Sequence, residues 1–378
     1  MVMRRKYAPF ISVTLLACLL VFTSVFLFMD GDDKVASKSI VMAKLSTTTM
    51  ESIEADDETP QTLWGNYSKR LTVNSAACGG MANMLFRLAF LFGVGKRLKR
   101  KAYMYDECAV DYKLELISYF PNLAGLEFRL EDRNYTPINF GELDWTMDDF
   151  KKLENASNVD TIMVTGQYLQ SFKYFHKYKP AIRKVFRPSK AIQAFIKGYV
   201  DNAFPNSTSH KLCIHIRRGF EGHYMIVSEP HFTLHAAQTV SDYLKESLNI
   251  SEVDAIIFSD DRDFARMAAA AIMNKTDIGL AHASVIMNRA EEMSMAHSVC
   301  DSMILTSAGS TFGWWMGYLM REEAQKRVFY NGLMFKERAK NMMRQFKEND
   351  YIPPKWRRIQ EFDHEVFFYS RKKPSILY

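Results

Sequence analysis

From Lys211 onward the apolar and polar positions alternate with a regular beat. Leu212, Cys213, Ile214 and Ile216 form a short apolar run that reads as a buried strand over 211–217, ending in Arg217, Arg218 and Gly219. A helix over 231–248 follows, with Ala236, Ala237, Val240, Tyr243, Leu244 and Leu248 on one face. Residues 255–261 read as a second strand with a polar end, and 262–273 as the next helix. Then come a strand around 284–286, a helix over 290–299, a strand over 303–306, the turn Ser307–Thr311, a helix over 312–321 and a closing strand over 328–330. Strands that alternate with helices in this way predict an α/β fold with a parallel, doubly wound sheet.

The first half is less regular. Leu71–Val73 reads as a strand leading into Cys78, Gly79 and Gly80, after which Leu85, Leu88, Ala89, Phe92 and Val94 recur at helical spacing. Further strands are expected at 102–105 and 161–166. The region 174–204 reads as helical, with Pro188 in a first turn and Ile192, Phe195, Ile196, Tyr199 and Val200 as a buried stripe. The tail from Phe346, rich in aromatics and proline, is expected to pack back across the other domain.

Before all this lies a different pattern. Residues Tyr7 to Met29 are almost wholly apolar and carry no charge. At ~1.5 Å per residue that run crosses ~30 Å of hydrocarbon. It is too long for a cleaved signal peptide, and Phe26, Phe28 and Met29 stand where a cleavage site would need small residues. Basic residues precede it and Asp30, Asp32 and Asp33 follow, so the positive-inside rule sends the rest of the chain across the membrane. The expected layout is a cytosolic tail (1–6), a signal anchor (7–29), a flexible stem (30–62), an amino-terminal acceptor-side domain (63–205), a nucleotide-sugar domain (206–345) and the tail (346–378). The stem is Ser, Thr, Asp, Glu and Lys with no aromatic residue, too little apolar surface to fold.

Composition sharpens the compartment. The net charge is +6, and Arg4, Arg5 and Lys6 precede the anchor, so the remainder gives no case for a nucleic-acid partner. The run Lys96, Arg97, Lys99, Arg100 and Lys101 reads as the solvated end of a helix. Six N-x-S/T sequons, at Asn66, Asn134, Asn155, Asn206, Asn249 and Asn274, are candidate glycan sites beyond the anchor. Of five cysteines, Cys18 lies in the anchor. Cys78, Cys108, Cys213 and Cys300 allow two disulfides in three pairings, or a free buried thiol at Cys213. No spacing resembles a zinc site.

In a parallel sheet all strand ends point to one rim, which gathers Arg217 and Arg218, residues 259–261 and residues 307–311. Two adjacent guanidinium groups need anionic partners, either a bound phosphate or carboxylate or the acids of a neighbouring helix. Ser307, Gly309, Ser310 and Thr311 run into a helix and offer amides, hydroxyls and the positive end of a dipole, although Ser310 or Thr311 as a simple N-cap accounts for them too. Together the two features favour a diphosphate site. Asp260 and Asp261 suggest a helix cap or a partner for a ribose or base before they suggest a metal. His215 reads as a satisfied core histidine or as a hydrogen-bond partner of a ligand. Trp314 and Trp315 read as core. His176, Tyr174 and Tyr178 read as helix packing, with sugar stacking as the alternative.

Three stretches in order resemble glycosyltransferase family 11, the α-1,2-fucosyltransferases. They are Gly79-Gly80-Met-Ala-Asn83, His215-Ile-Arg-Arg-Gly-Phe220 and Ala308-Gly-Ser-Thr-Phe-Gly-Trp-Trp-Met316, supported by 166–173, 258–261 and 291–300. The resemblance runs from about residue 70 to residue 330. It implies a GT-B-like fold of two Rossmann-like domains, and GDP-fucose as donor with a terminal galactose of a glycan as acceptor. It also implies inversion at the anomeric carbon and no required metal; with the anchor, the expectation is a Golgi type II membrane protein that can form a homodimer. In that picture Arg217 and Arg218 hold the diphosphate, Ser310 and Thr311 contact it, and Asp260 or Asp261 faces the ribose or guanine. Gly79, Gly80 and Asn83 line the cleft from the other domain. The family's Asp after Arg-Arg-Gly is Phe220 here, with Glu221 one place on as candidate base. Two rivals stay open: a GDP-sugar- or glycan-binding homologue without turnover, and a fucosyltransferase with another acceptor.

Overall fold

The computed structural model describes residues 59–74, 79–105, 107–129, 134–219 and 224–369. The chain divides into two units, Met1–Ala55 and Asp56–Tyr378, and the first lies outside the described residues together with the expected anchor and most of the stem. Among the described residues no helix is long and apolar enough to cross a membrane.

The second unit is built on two sheets. The first contains β1 (Arg70–Val73), β2 (Lys101–Tyr105), β3 (Glu127–Arg129), β4 (Thr136–Ile138) and β5 (Thr161–Val164) in the order β3-β2-β1-β5-β4, every pair parallel. The second contains β6 (His210–Ile216), β7 (Val253–Ser259), β8 (Ala281–Ala283), β9 (Ser302–Leu305), β10 (Val328–Asn331), β11 (Arg357–Phe362) and β12 (Glu365–Tyr369) in the order β12-β11-β10-β9-β6-β7-β8. Only the β11–β12 pair is antiparallel. Two parallel α/β sheets in series are the architecture the resemblance implies.

The regular beat after Lys211 corresponds to real elements, because β6, β7, β9 and β10 are buried on both faces. β6 and β7 are almost wholly buried, and α2 (Pro230–Leu248) covers them with Ala236, Ala237, Val240 and Leu244 at 0% exposure. Two expectations need correction here. The strand placed at 284–286 lies at Ala281–Ala283 instead, because after the Ser284 N–H bonds the Ile257 carbonyl at 2.9 Å the chain turns out of the sheet, the Val285 N–H bonding the Ala283 carbonyl at 2.9 Å. The strand series also continues past 328–330, since the tail adds the β11–β12 hairpin to the second sheet. Just before it, Gln345 and Asp350 do reach the first lobe: Thr146 Oγ1 donates to the Gln345 carbonyl at 3.0 Å, and Lys173 pairs with Asp350 at 2.6 Å.

The first lobe departs further from its pattern. β3 and β4 are three residues each and half-exposed or exposed, with Pro137 tolerated in β4 at the sheet edge. The region read as helical resolves into two 3-10 turns and the helices Lys179–Val185 and Lys190–Ala203. Pro188 breaks the chain between them rather than sitting in a first turn, because the residue before a proline is pushed out of the helical region. Of the expected stripe only Ile196 is fully buried, and Phe195 is 38% exposed. The basic run is not uniformly solvated either. Arg100 is buried, donating to the Arg70, Asp160 and Ala156 carbonyls.

The lobes are joined by aromatic packing between α1 (Met81–Leu98) and α5 (Thr311–Leu319), the elements α3 (Arg262–Lys275) and α4 (Arg289–Ser298) lying between α2 and α5 in the chain. Phe86 of α1 lies 4.5 Å from the Trp314 ring and 5.0 Å from the Trp315 ring, and Trp315 Nε1 donates to the Ala82 carbonyl at 3.0 Å. Burying each such ring contributes about 1.5–3 kcal/mol. This junction fixes the starts of the two helices relative to one another. Cys213 and Cys300 form a disulfide with Cα atoms 5.7 Å apart, which excludes the free thiol at Cys213. Cys78 lies outside the described residues, and Cys108 falls in the helix Glu107–Tyr119.

Candidate active site

The aligned helix starts open on a cleft of about 400 Å³ between the lobes. From the first lobe Gly80, Met81, Ala82 and Asn83 line it. From the second come His215 near the end of β6 and Arg217 just after it, Ser259 and Asp260 at the end of β7, and Ser310, Thr311 and Phe312 at the start of α5. Two strand ends and the starts of α1 and α5 therefore meet in one place, although they span about 230 residues of chain.

The helix starts differ in chemistry. Ser310 caps α5, its Oγ accepting from the Gly313 N–H at 3.4 Å. α1 begins at Gly80 with no side-chain cap, which leaves first-turn N–H groups without an intrahelical acceptor. Both starts carry the positive end of a helix dipole toward the cleft. Arg217, Arg262 and Arg289 add three guanidinium groups to its lining, paired with Asp260, Glu292 and, from outside the lining, Glu115. The helix starts with their amides suit an anion with several oxygens.

Of the arginine pair, only Arg217 lines the cleft. Its Nη1 pairs with Asp260 at 3.1 Å. Arg218 turns away, donating through Nη1 to the Ser228 carbonyl at 2.8 Å and lying 4.8 Å over the Phe264 ring. Its backbone N–H and that of Gly219 each donate to the Asp260 carboxylate at 2.8 Å, so Asp260 shapes the loop that presents Arg217. Asp261 is a helix cap: its Oδ1 accepts from the Phe264 N–H at 2.9 Å at the start of α3. Ser307 is buried with its hydroxyl on the Ile226 carbonyl at 2.7 Å and does not line the cleft. Gly79 adopts φ +64°, beside the Tyr168 ring and just outside the lining, while Gly80 and Asn83 are part of it. Glu221 and Phe220 lie outside the described residues.

His215 is buried and lines the cleft, and its Nδ1 has no hydrogen-bond partner, so it is not the satisfied core histidine that its strand position suggests. Burial pushes its pKa down to about 4, leaving a neutral ring. A Cβ at position 313 would stand 2.5 Å from Nδ1, which is why α5 carries a glycine there. Trp314 and Trp315 are core at 0% exposure. Tyr174 is buried and His176 bonds the Tyr318 hydroxyl at 3.2 Å, so that aromatic group is packing rather than a sugar platform.

Residue reasoning missed Arg262, Arg289 and Glu292. The first two follow helix boundaries that the hydrophobic pattern places within a residue, but nothing in it says that they turn inward. Glu292 is 6% exposed, and burial raises its pKa to about 7 against the lowering effect of Arg262. A second missed carboxyl is Asp144. Burial raises its pKa to about 6, and a hydrogen bond from the Tyr168 backbone and the Arg87 charge offset only part of that. Its Oδ1 has no partner. Among the described residues His231, Glu361 and His364 could together hold a metal ion, and none of them lines the cleft.

Two parallel-sheet lobes meeting over an arginine-lined cleft that opens on helix starts are the build of a GT-B glycosyltransferase. The chain belongs to glycosyl transferase family 11, whose model matches residues 130–358, more than half of its length. A Caenorhabditis elegans protein with a provisional glycosyltransferase name is 27% identical over 306 residues, covering 76% of this chain and 80% of that one. A galactoside 2-alpha-L-fucosyltransferase of the same organism is 25% identical over 339 residues, covering 82% of each chain. A solved structure of POFUT1 in complex with GDP-fucose aligns at a TM-score of 0.45 and 10% identity, covering 71% of this chain and 99% of that one.

Proposed function

We propose that the protein moves fucose from GDP-fucose to the 2-hydroxyl of a terminal galactose on a glycan, inverting the anomeric carbon and requiring no metal. The observation that carries this is the convergence of Arg217 with the starts of α1 and α5 on one cleft. Family membership supports fucosyl transfer, and the galactoside specificity follows the name of the worm relative.

In the proposed reaction the acceptor oxygen forms a bond to the fucose anomeric carbon as the bond from that carbon to the β-phosphate oxygen breaks. The electron pair leaves on the diphosphate, where Arg217 and the α5 amides stabilise the growing charge. The hydroxyl proton passes to a carboxylate. Glu221 is the sequence candidate, and Asp144, which accepts from the Tyr168 backbone in the first lobe and does not line the cleft, is the carboxyl to test against it.

The proposed setting is the Golgi lumen, with Tyr7–Met29 as anchor. A buried disulfide belongs to an oxidising compartment, and all six sequon asparagines are exposed, as glycan attachment requires. The test is to incubate the purified protein with GDP-fucose and a panel of β-galactosides, following GDP release and the linkage formed. Fucose on the 2-hydroxyl supports the reading, whereas no transfer to any galactoside sinks it. Phe220 in place of the family's Asp favours one second reading, a homologue that binds GDP-fucose without turnover, and the same assay paired with a binding measurement separates the two.

A further inference from the structure

Resting on the reading of the cleft as a GDP-sugar site, we propose that Glu292 reads the nucleotide base, accepting from the N1–H and the 2-amino group of guanine. The choice falls on Glu292 because the other acids of the rim are engaged. Asp260 receives the Arg218 and Gly219 amides on its two oxygens as well as Arg217, and Asp261 caps α3.

Glu292 differs from both. It projects from the first turn of α4, is more than nine-tenths buried and lines the cleft. Its Oε1 accepts from Arg262 Nη1 at 2.5 Å and from Ser284 Oγ at 3.4 Å. Among the described residues Oε2 has no protein donor. Arg262 is held by carbonyls of the β8–α4 connection, Ser284 at 2.9 Å and Met287 at 2.8 Å, so the carboxylate is fixed from behind and presents its free oxygen to the cleft. A carboxylate held this way uses about two of its roughly four acceptor positions. The charged and titratable groups around it are Arg262 on α3, Asp260 after β7 and Tyr199 on the helix Lys190–Ala203.

The position fits a nucleoside. Along the row β9-β6-β7-β8, the phosphate-ready turn follows β9, Arg217 follows β6, Asp260 follows β7 and Glu292 follows β8. A nucleotide with its diphosphate at α5 therefore extends toward Glu292. Two adjacent donors on the base complement a carboxylate. Guanine has them at N1 and N2, adenine puts a lone pair at N1, and uracil offers one donor between two carbonyls. A site built around a buried acceptor rejects bases that leave it unpaired.

Calorimetric titration of the full-length protein in detergent with GDP, IDP, ADP and UDP tests this. IDP lacks only the 2-amino group. The wild type is expected to bind GDP about 10–100-fold more tightly than IDP, the difference made by one hydrogen bond to a charged group. Glu292→Gln is expected to weaken GDP by a similar factor and bring the GDP-to-IDP ratio close to one. Equal affinity of the wild type for GDP and IDP overturns the inference, and this measurement decides even if the variant does not fold. An unchanged GDP-to-IDP ratio in Glu292→Gln overturns it while leaving the donor reading intact. Preference of the wild type for ADP or UDP removes both.

Discussion

The two lobes face the same cleft with different means. The second presents side chains: Arg217, Asp260, Arg262 and Glu292 stand on consecutive strand ends and the helix starts that follow them. The first presents mostly backbone, the uncapped start of α1 at Gly80, with Asn83 as its polar side chain. A diphosphate and a base have fixed hydrogen-bonding edges and need fixed partners, which a wide parallel sheet supplies by aligning its strand ends. A glycine-led helix start instead lets a ligand approach the backbone closely. On the proposed function, the second lobe takes the nucleotide and the first the acceptor.

Removing Arg217 breaks that contrast most severely. Arg217→Ala is expected to lower the transfer rate about 10²–10³-fold, the usual loss for one preorganised group at a developing oxyanion. Arg218→Ala, whose side chain stacks on Phe264 away from the cleft, is expected to cost less than about tenfold. Steady-state transfer assays on the two variants check this, and equal losses would mean that the pair acts together.

The next largest effect bears on the first lobe. If Asp144 is the base, Asp144→Asn lowers the transfer rate about 10²-fold with GDP affinity unchanged, and Glu221→Gln does not. The acidic limb of the pH–rate profile then lies near 6, with activity falling as the pH drops and Asp144 takes up a proton. The reverse pair of outcomes assigns the base to Glu221.

A smaller effect sharpens the picture of the second lobe. Ionised Glu292 is the form that accepts from a base, so GDP affinity is expected to fall by up to about tenfold per pH unit below 7 and to level off above it. Titrations at several pH values read this directly, and a flat profile in Glu292→Gln marks its source. Smallest is the capping term. Ser310→Ala is expected to destabilise by about 1 kcal/mol, visible as a lower denaturant midpoint, because the α5 start loses its one side-chain acceptor.

How much could be read in advance follows the same division. In the second lobe, strands buried on both faces leave continuous apolar runs with polar ends, so β6, β7 and β9 and the turn before α5 were legible within two or three residues. β8 slid by three because Ser284 makes the last bond to β7 and the chain then turns away, its carbonyl and hydroxyl serving the Arg262–Glu292 pair although apolar Val285 and Ile286 follow. In the first lobe, three-residue edge strands and 3-10 turns carry too few residues for any period to register.

The sequence by itself determined the α/β class, the order of the three motifs and the family they belong to, because these depend on residues close together in the chain. Only the tertiary structure decided which members of those motifs face the cleft. Arg217 and Arg218 are adjacent and chemically identical, yet one enters the cleft and the other packs on Phe264. Asp260 and Asp261 likewise divide into a loop anchor and a helix cap. Successive side chains leaving a strand point in opposite directions, and what each meets there is set by elements tens of residues away.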